Sequence, residues 1–401
     1  MSTFERILFL PFVVLLVAAT TASAQGEIHI DSSCSLADAI TAANTDREQG
    51  GCPAGNGADV INLVEPVTLL AALPSITSEI TIEGFGNSIS GDGQYRLFHV
   101  DSDGELTVNN ATLEEGWSAD DGKLNLIGDG GAILNQGILR VNQCVLRNNQ
   151  AGEDGGAIRN VGEAHISGSR FLGNTANRQS GAIYSAGASA TDSEIATLDI
   201  NSSIFTKNSS SRHAGAIFID GSARIDSSIF SGNSAGISGG AIYNVGTTEV
   251  RRTDLRGNTS QLNGGAIFND LGACILVSKS DLRYNSTVSD GGGLYVFGGG
   301  RAVVTESRLH NNSASEGGGL LIRSFLHDDD IYIGGLHMGD TAIWDNDGGD
   351  CFYADPVNVI YHGSYGCGDR PFASDFHLVS YPAMYASIEE DHWYIKRVRC
   401  R

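Results

Sequence analysis

Basic residues are scarce in this chain: 25 Lys and Arg face 47 Asp and Glu in 401 residues, a formal net charge of −22. A polyanion repels phosphate backbones, so nucleic acid is disfavoured as a partner. Glycine is abundant at 52 but lacks a strict every-third-residue period, which excludes collagen. No CxxC or paired CxxH occurs, there is no HExxH, and the ten histidines are scattered, so zinc is disfavoured and no metal site is assigned. After the N-terminal stretch no segment has 18 uninterrupted apolar residues, so no membrane span is expected in the mature chain. Aliphatic residues are not in short supply, which argues against a disordered chain. What is present describes a large, acidic, turn-rich β protein.

At the N-terminus Arg6 precedes an apolar run from Ile7 to Ala19 and the small-residue site Ala22-Ser23-Ala24. That is the layout of a secretory signal over residues 1–24, and it predicts an exported protein, secreted or at the cell surface. Export permits disulfides. The seven cysteines cannot all pair within the chain, and the sequence-near pairs Cys34/Cys52 and Cys351/Cys367 are the expected bridges. Cys144, Cys274 and Cys400 are left over. Aligning Ile275 with Ile225 and Val250 points Cys274 outward.

The chain repeats itself. Gly221 to Val245 reads GSARIDSSIFSGNSAGISGGAIYNV, and Gly246 to Asp270 reads GTTEVRRTDLRGNTSQLNGGAIFND, in phase and without a gap. A GGAI-like step recurs at Gly131, Gly156, Gly181, Gly215, Gly240, Gly265, Gly292 and Gly318, with spacings of 25, 25, 34, 25, 25, 27 and 26. An apolar residue three before an asparagine accompanies it, ending on Asn149, Asn174, Asn208, Asn233, Asn258, Asn285 and Asn312. Each repeat holds short β-type runs divided by Gly, Asn and Ser, with no stripe long enough for paired helices. Such a period suits coils of three strands stacked about 4.8 Å apart. Ile133, Ile158, Ile183, Ile217, Ile242 and Ile267 then form one interior stack, and Phe171, Phe205 and Phe230 another. The repeat asparagines pair amide to amide at a turn. The fold expected is all-β, a parallel β-helix over residues 59–350.

GGAI alternating with FxxN resembles the repeats of the polymorphic outer-membrane protein family, a right-handed, pectin-lyase-like parallel β-helix group. Cys34-Ser35-Leu36-Ala37-Asp38-Ala39-Ile40, followed by Ala43-Asn44 and Gly51-Cys52-Pro53-Ala54-Gly55, is similar to the CSLRE-type N-terminal signature of secreted relatives. The resemblance implies an adhesin-like protein. Autotransporting relatives end in a membrane barrel, whereas about 50 residues follow the last repeat here, too few for even an eight-stranded one.

An open solenoid needs a cover at each end. Ser35 with Asp38 makes a capping-box pattern, and Leu36, Ala39, Ile40 and Ala43 share a helical face. Residues 25–58 are therefore read as an N-terminal cap with a lid helix, and residues 351–401 as the C-terminal cap.

Chemical motifs are thin. Gly232-Asn233-Ser234-Ala235-Gly236 fits GxSxG, but no helix follows to make a nucleophile elbow. The acidic groups at 101–103, 327–330 and 345–347 could hold calcium but match no complete loop pattern. Asp120, Asp121, Asp129 and Glu153 lie near repeat glycines as candidate carboxylates for a glycoside hydrolase or lyase, without recurring pairs. N-glycosylation triplets at Asn208, Asn258, Asn285 and Asn311 fall on or beside repeat asparagines and read as turns.

The residue after each interior isoleucine should point outward. Tyr184, Phe218, Tyr243, Phe268 and Tyr295, flanked by Leu134, Arg159 and Leu321, are thus expected as an external binding stripe. The functional expectation is a non-catalytic surface-recognition protein, adhesin-like or polysaccharide-binding, whose partner is a carbohydrate or a cell-surface protein. A carbohydrate lyase or hydrolase on the same fold, or a structural envelope protein, are the alternatives.

Overall fold

The computed structural model describes residues 26–119, 128–186, 195–323, 325–327, 330–332, 335–354 and 358–362. The signal segment, Asp120, Asp121, Cys367, Cys400 and most of the expected C-terminal cap lie outside the described residues. Within them the chain winds into a parallel β-helix whose strands stack in four sheets of 13, 10, 11 and 7 strands, all parallel. In one coil the strands are Ser222–Asp226, Ile229–Ser231, Ser234–Ala235 and Ile242–Asn244. The expected three strands per coil are thus joined by a fourth of only two residues, which still pairs with Ser209–Ser210 and Thr259–Ser260.

Corners are made by residues in the left-handed region. In this coil Ser227 (φ 51°), Gly232 (φ 64°) and Gly239 (φ 71°) turn the chain between strands. Gly239 and Gly240 need glycine for different reasons. Gly239 supplies the positive φ, while a Cβ on Gly240 would run into the carbonyl oxygen of Gly265 in the next coil. The second glycine of the step, present even where Ser180 or Ala214 takes the first place, therefore packs one corner directly on the next.

The core is stacked in columns. The six interior isoleucines are fully buried. Phe171, Phe205 and Phe230 lie face to face at 4.6 and 4.7 Å with interplanar angles of 9° and 4°. Such offset aromatic contacts add to simple area burial. At the open N-terminal end the helix Leu36–Thr45 turns Leu36, Ala39, Ile40, Ala42 and Ala43 into the core. Ser35 caps it by accepting from the Asp38 backbone N–H at 3.1 Å. Cys34 and Cys52 are disulfide-bonded, Cα to Cα 4.7 Å, and close the loop that carries this helix.

Cys274 stands outward of the core strand, at 5% exposure, and is disulfide-bonded. Its register differs from the sequence alignment: Ile275 pairs with Thr248, and it is Val277 that pairs with Val250. The two residues added in this repeat are absorbed in the corner between Asn269 and Cys274, before the strand. A shift of two preserves the side-chain parity. Cys351 is also disulfide-bonded, but the Cys351/Cys367 pairing falls outside the described residues. Cys144 is a free, buried thiol.

Candidate functional site

The expected stripe begins at the GGAI corner. Once Gly239 has turned the chain, Ile242 enters the core and Tyr243 takes the opposite face of the same strand. Strand register stacks Leu134, Arg159, Tyr184, Phe218, Tyr243, Phe268, Tyr295 and Leu321 in one column. Tyr184–Phe218, Phe218–Tyr243 and Tyr243–Phe268 stack at 4.6, 5.2 and 4.8 Å, and Phe268–Tyr295 follows at 5.1 Å, tilted by 50°.

The column is not an open stripe. Phe218, Tyr243, Phe268 and Tyr295 are 7, 8, 6 and 2% exposed, and only Tyr184 is half-buried. Ring faces cover one another, and Ala214, Val245 and Phe297 pack alongside. Tyr243 donates its hydroxyl to Asp270 Oδ2 at 2.5 Å, and the His213 ring lies 4.6 Å from the Tyr243 ring. Burial, with Asp270 beside it, pushes the Tyr243 phenol up, and burial holds His213 below the usual imidazole range. Burial also raises Tyr184 and Tyr295 to about 12. Alternation along the strand places these rings outside the isoleucine core but cannot say whether they meet solvent. They form a second hydrophobic core.

The repeat asparagines form a continuous hydrogen-bonded ladder. Asn149, Asn174, Asn208, Asn233, Asn258 and Asn285 each donate Nδ2 to Oδ1 of the asparagine one coil on, at 2.9–3.0 Å. Asn312 continues it to Asn346 at 3.1 Å. The same Oδ1 atoms accept the preceding backbone N–H. These amides are buried, and an amide so engaged is closed to glycan attachment. A second ladder runs beside it: Ser169, Ser203, Ser228, Thr253, Ser280 and Ser307 each use a hydroxyl to hold a backbone carbonyl two residues back. Cys144 fills the same position, its Sγ reaching the Asn142 carbonyl at 3.2 Å. Sequence reading missed this column, although a Ser or Thr two before the Phe/Leu of FxxN signals it.

Residues 227–245, the segment from one corner through FxxN to GGAI, match the Chlamydia polymorphic membrane protein repeat. The family is surface-associated, of the outer membrane. The matched segment stacks in register on its neighbouring coils on both sides. No curated protein matches the chain.

A cluster of buried charges lies at the N-terminal end of the aromatic column. Arg159 stacks its guanidinium 4.4 Å over the Tyr184 ring and donates Nε to Asp129 Oδ2 at 3.1 Å. Arg178 pairs with Asp154 and, at 3.4 Å, with Glu153. Arg96 reaches the Gly130 carbonyl at 3.0 Å, and burial lowers its pKa to about 10. Burial raises the Asp129 carboxyl against the pull of Arg159. Perturbed groups of this sort often mark active sites, yet Asp129, Asp154 and Glu153 are 4, 1 and 8% exposed. A general acid or base must reach its substrate. These carboxylates reach arginines and backbone N–H groups instead, as in Asp154 N–H to Asp129 Oδ1 at 3.0 Å. Ser234 of the GxSxG match opens the two-residue strand Ser234–Ala235 and has no helix after it. Among the described residues no group of three or more His, Cys, Asp or Glu could hold a metal ion.

Proposed function

We propose that the protein acts by recognition at its outer surface, without catalysis, as an adhesin-like or polysaccharide-binding β-helix that is exported to the cell surface or beyond. One observation carries this reading. The described carboxylates that could serve a hydrolase or lyase, Asp129 and Glu153, are buried against arginines, while the outward strand positions form flat, regular columns one coil apart. Flat walls with periodic side chains suit an extended partner, a carbohydrate or a protein of another cell surface. The signal-like N-terminus and the surface-associated repeat family support the location.

The test pairs two assays on the exported chain, binding to a panel of glycans and to whole cells, and product analysis of the same glycans after long incubation. Saturable binding with intact glycans is expected. Depolymerisation that vanishes in Asp129→Asn, with the fold unchanged, would replace recognition by catalysis.

A further inference from the structure

We propose that the outer wall formed by Asp281, Arg283, Tyr284, Arg308, His310 and Trp344 is a binding site for a neutral saccharide. The proposal rests on the surface-recognition reading and gives it a place and a ligand class.

The wall lies on the outer face of the sheet whose inner face carries the phenylalanine stack. Strands Asp254–Arg256, Asp281–Arg283, Arg308–His310 and Ala342–Trp344 pair in register, so their first and third residues form two outward columns. Their middle residues, Leu255, Leu282, Leu309 and Ile343, fill the core. In the two preceding coils the same outward positions hold Ile204, Thr206, Ile229 and Ser231. Charges stand at these positions in earlier coils too, as at Glu114, Arg147 and Arg170, but the rings of His310 and Trp344 are a local departure that core packing does not call for.

Asp281 gathers the group. It accepts from Arg308 Nη2 at 3.1 Å, lies 3.0 Å from His310 Nε2 and 3.9 Å from Arg283 Nε. Arg283 is in turn held by Asp254 at 2.9 Å. His310 stacks on Trp344 at 4.5 Å and 7°. Tyr284 occupies the left-handed corner after the strand (φ 53°), is 61% exposed, and stands at 70° to the His310 ring. Its face is therefore not covered by the stack. Arg308 is 62% exposed in its side chain, and Asp281 engages only one of its nitrogens.

These parts match the two surfaces of a sugar ring. The C–H face packs against an aromatic ring, and the hydroxyls both donate and accept, which suits a carboxylate beside a guanidinium fork. The adjoining depression has a volume of about 620 Å³, enough for a ligand of a few rings. Its four basic lining residues, Arg252, Lys279, Arg283 and Arg308, are matched by four acidic ones. A balanced wall offers no excess field to an acidic ligand, and the rest of a chain of net charge −22 repels one. The ligand chemistry is therefore neutral. Successive coils about 4.8 Å apart also repeat at close to the length of a pyranose unit, so a linear chain can meet one coil per sugar.

The experiment is calorimetric titration of the full chain with neutral oligosaccharides of glucose, mannose and xylose, and with oligogalacturonate, at about 0.05 and 0.5 M salt. Saturable binding of a neutral oligosaccharide is expected, equal at both salt concentrations. Tyr284→Ala and Arg308→Ala should each weaken it about tenfold, with the melting temperature unchanged because both side chains are exposed. Neutral binding that neither substitution weakens would overturn this wall while leaving surface recognition standing. Binding of oligogalacturonate alone, falling with salt, would overturn the ligand class. Cell binding without any oligosaccharide binding would overturn the inference and keep the broader reading, whereas no binding of any kind would remove both.

Discussion

Asn233→Ala is the sharpest test of what holds the coils together. The Asn233 side chain makes four hydrogen bonds in a fully buried site. Nδ2 donates to the Phe205 carbonyl at 3.0 Å and to Asn258 Oδ1 at 2.9 Å. Oδ1 accepts from the Asn208 backbone N–H and from Asn208 Nδ2, both at 3.0 Å. Alanine leaves the Asn208 N–H without its partner inside the solenoid and deprives three other groups of one bond each. An orphaned buried donor costs about 1–3 kcal/mol and each of the three other lost bonds about 1, so the loss should be about 4–6 kcal/mol. Asn177 is exposed and stands outside the ladder, so Asn177→Ala should cost no more than about 0.5 kcal/mol. Urea denaturation followed by far-UV circular dichroism compares the two. If Asn233→Ala costs under about 1 kcal/mol, the ladder is ornamental and the coils are held by the apolar columns alone.

Other sites give distinct readouts. Phe205, clamped between Phe171 and Phe230, should cost about 3–5 kcal/mol on change to alanine, measured by the same denaturation. Burial pushes the Cys144 thiol up to about 11, so the folded state holds its proton more tightly than the unfolded chain. That contribution is intact below the ordinary thiol range and is lost as pH rises from about 9 to 11. Cys144→Ser, which fits the hydroxyl ladder, should flatten that part of a stability–pH curve and cost little at neutral pH. Reducing Cys34–Cys52, which are 18 residues apart, should destabilise by about 3 kcal/mol and loosen the lid helix first, seen by hydrogen exchange at Leu36–Thr45.

Much of this architecture is legible in the sequence because a solenoid writes the same constraint every coil. The GGAI glycines, the isoleucine and phenylalanine stacks and the asparagine column each recur at one phase, and period alone exposes them. The cap helix is legible from Ser35, Asp38 and one apolar face. The two-residue strand Ser234–Ala235 is too short to hold an alternation, so it hid inside a turn. Cys274 was displaced by two residues because an added pair in a corner leaves no mark of where it is absorbed. The aromatic column shows a different limit. Alternation fixes which side of a strand Tyr243 takes, but its burial depends on Asp270, His213 and neighbouring rings from other coils. The Asp129–Arg159 pair likewise joins residues 30 apart through a corner, and no local pattern announces it. The charged wall around Asp281 was passed over for the opposite reason, since it occupies positions where the repeat has no consensus.

The division between a buried aromatic column and a working outer wall is tested most directly by the stability of Tyr243→Ala combined with Phe268→Ala. Each ring is stacked between neighbours and under 9% exposed. Truncating a buried aromatic costs about 3–5 kcal/mol, so the pair should lose about 5 kcal/mol or more even with coupling between adjacent sites. Equilibrium unfolding of the double variant is predicted to show that loss, with a lowered melting temperature. A melting temperature equal to that of the unaltered protein, together with abolished surface binding, would contradict the account and return the binding site to the column.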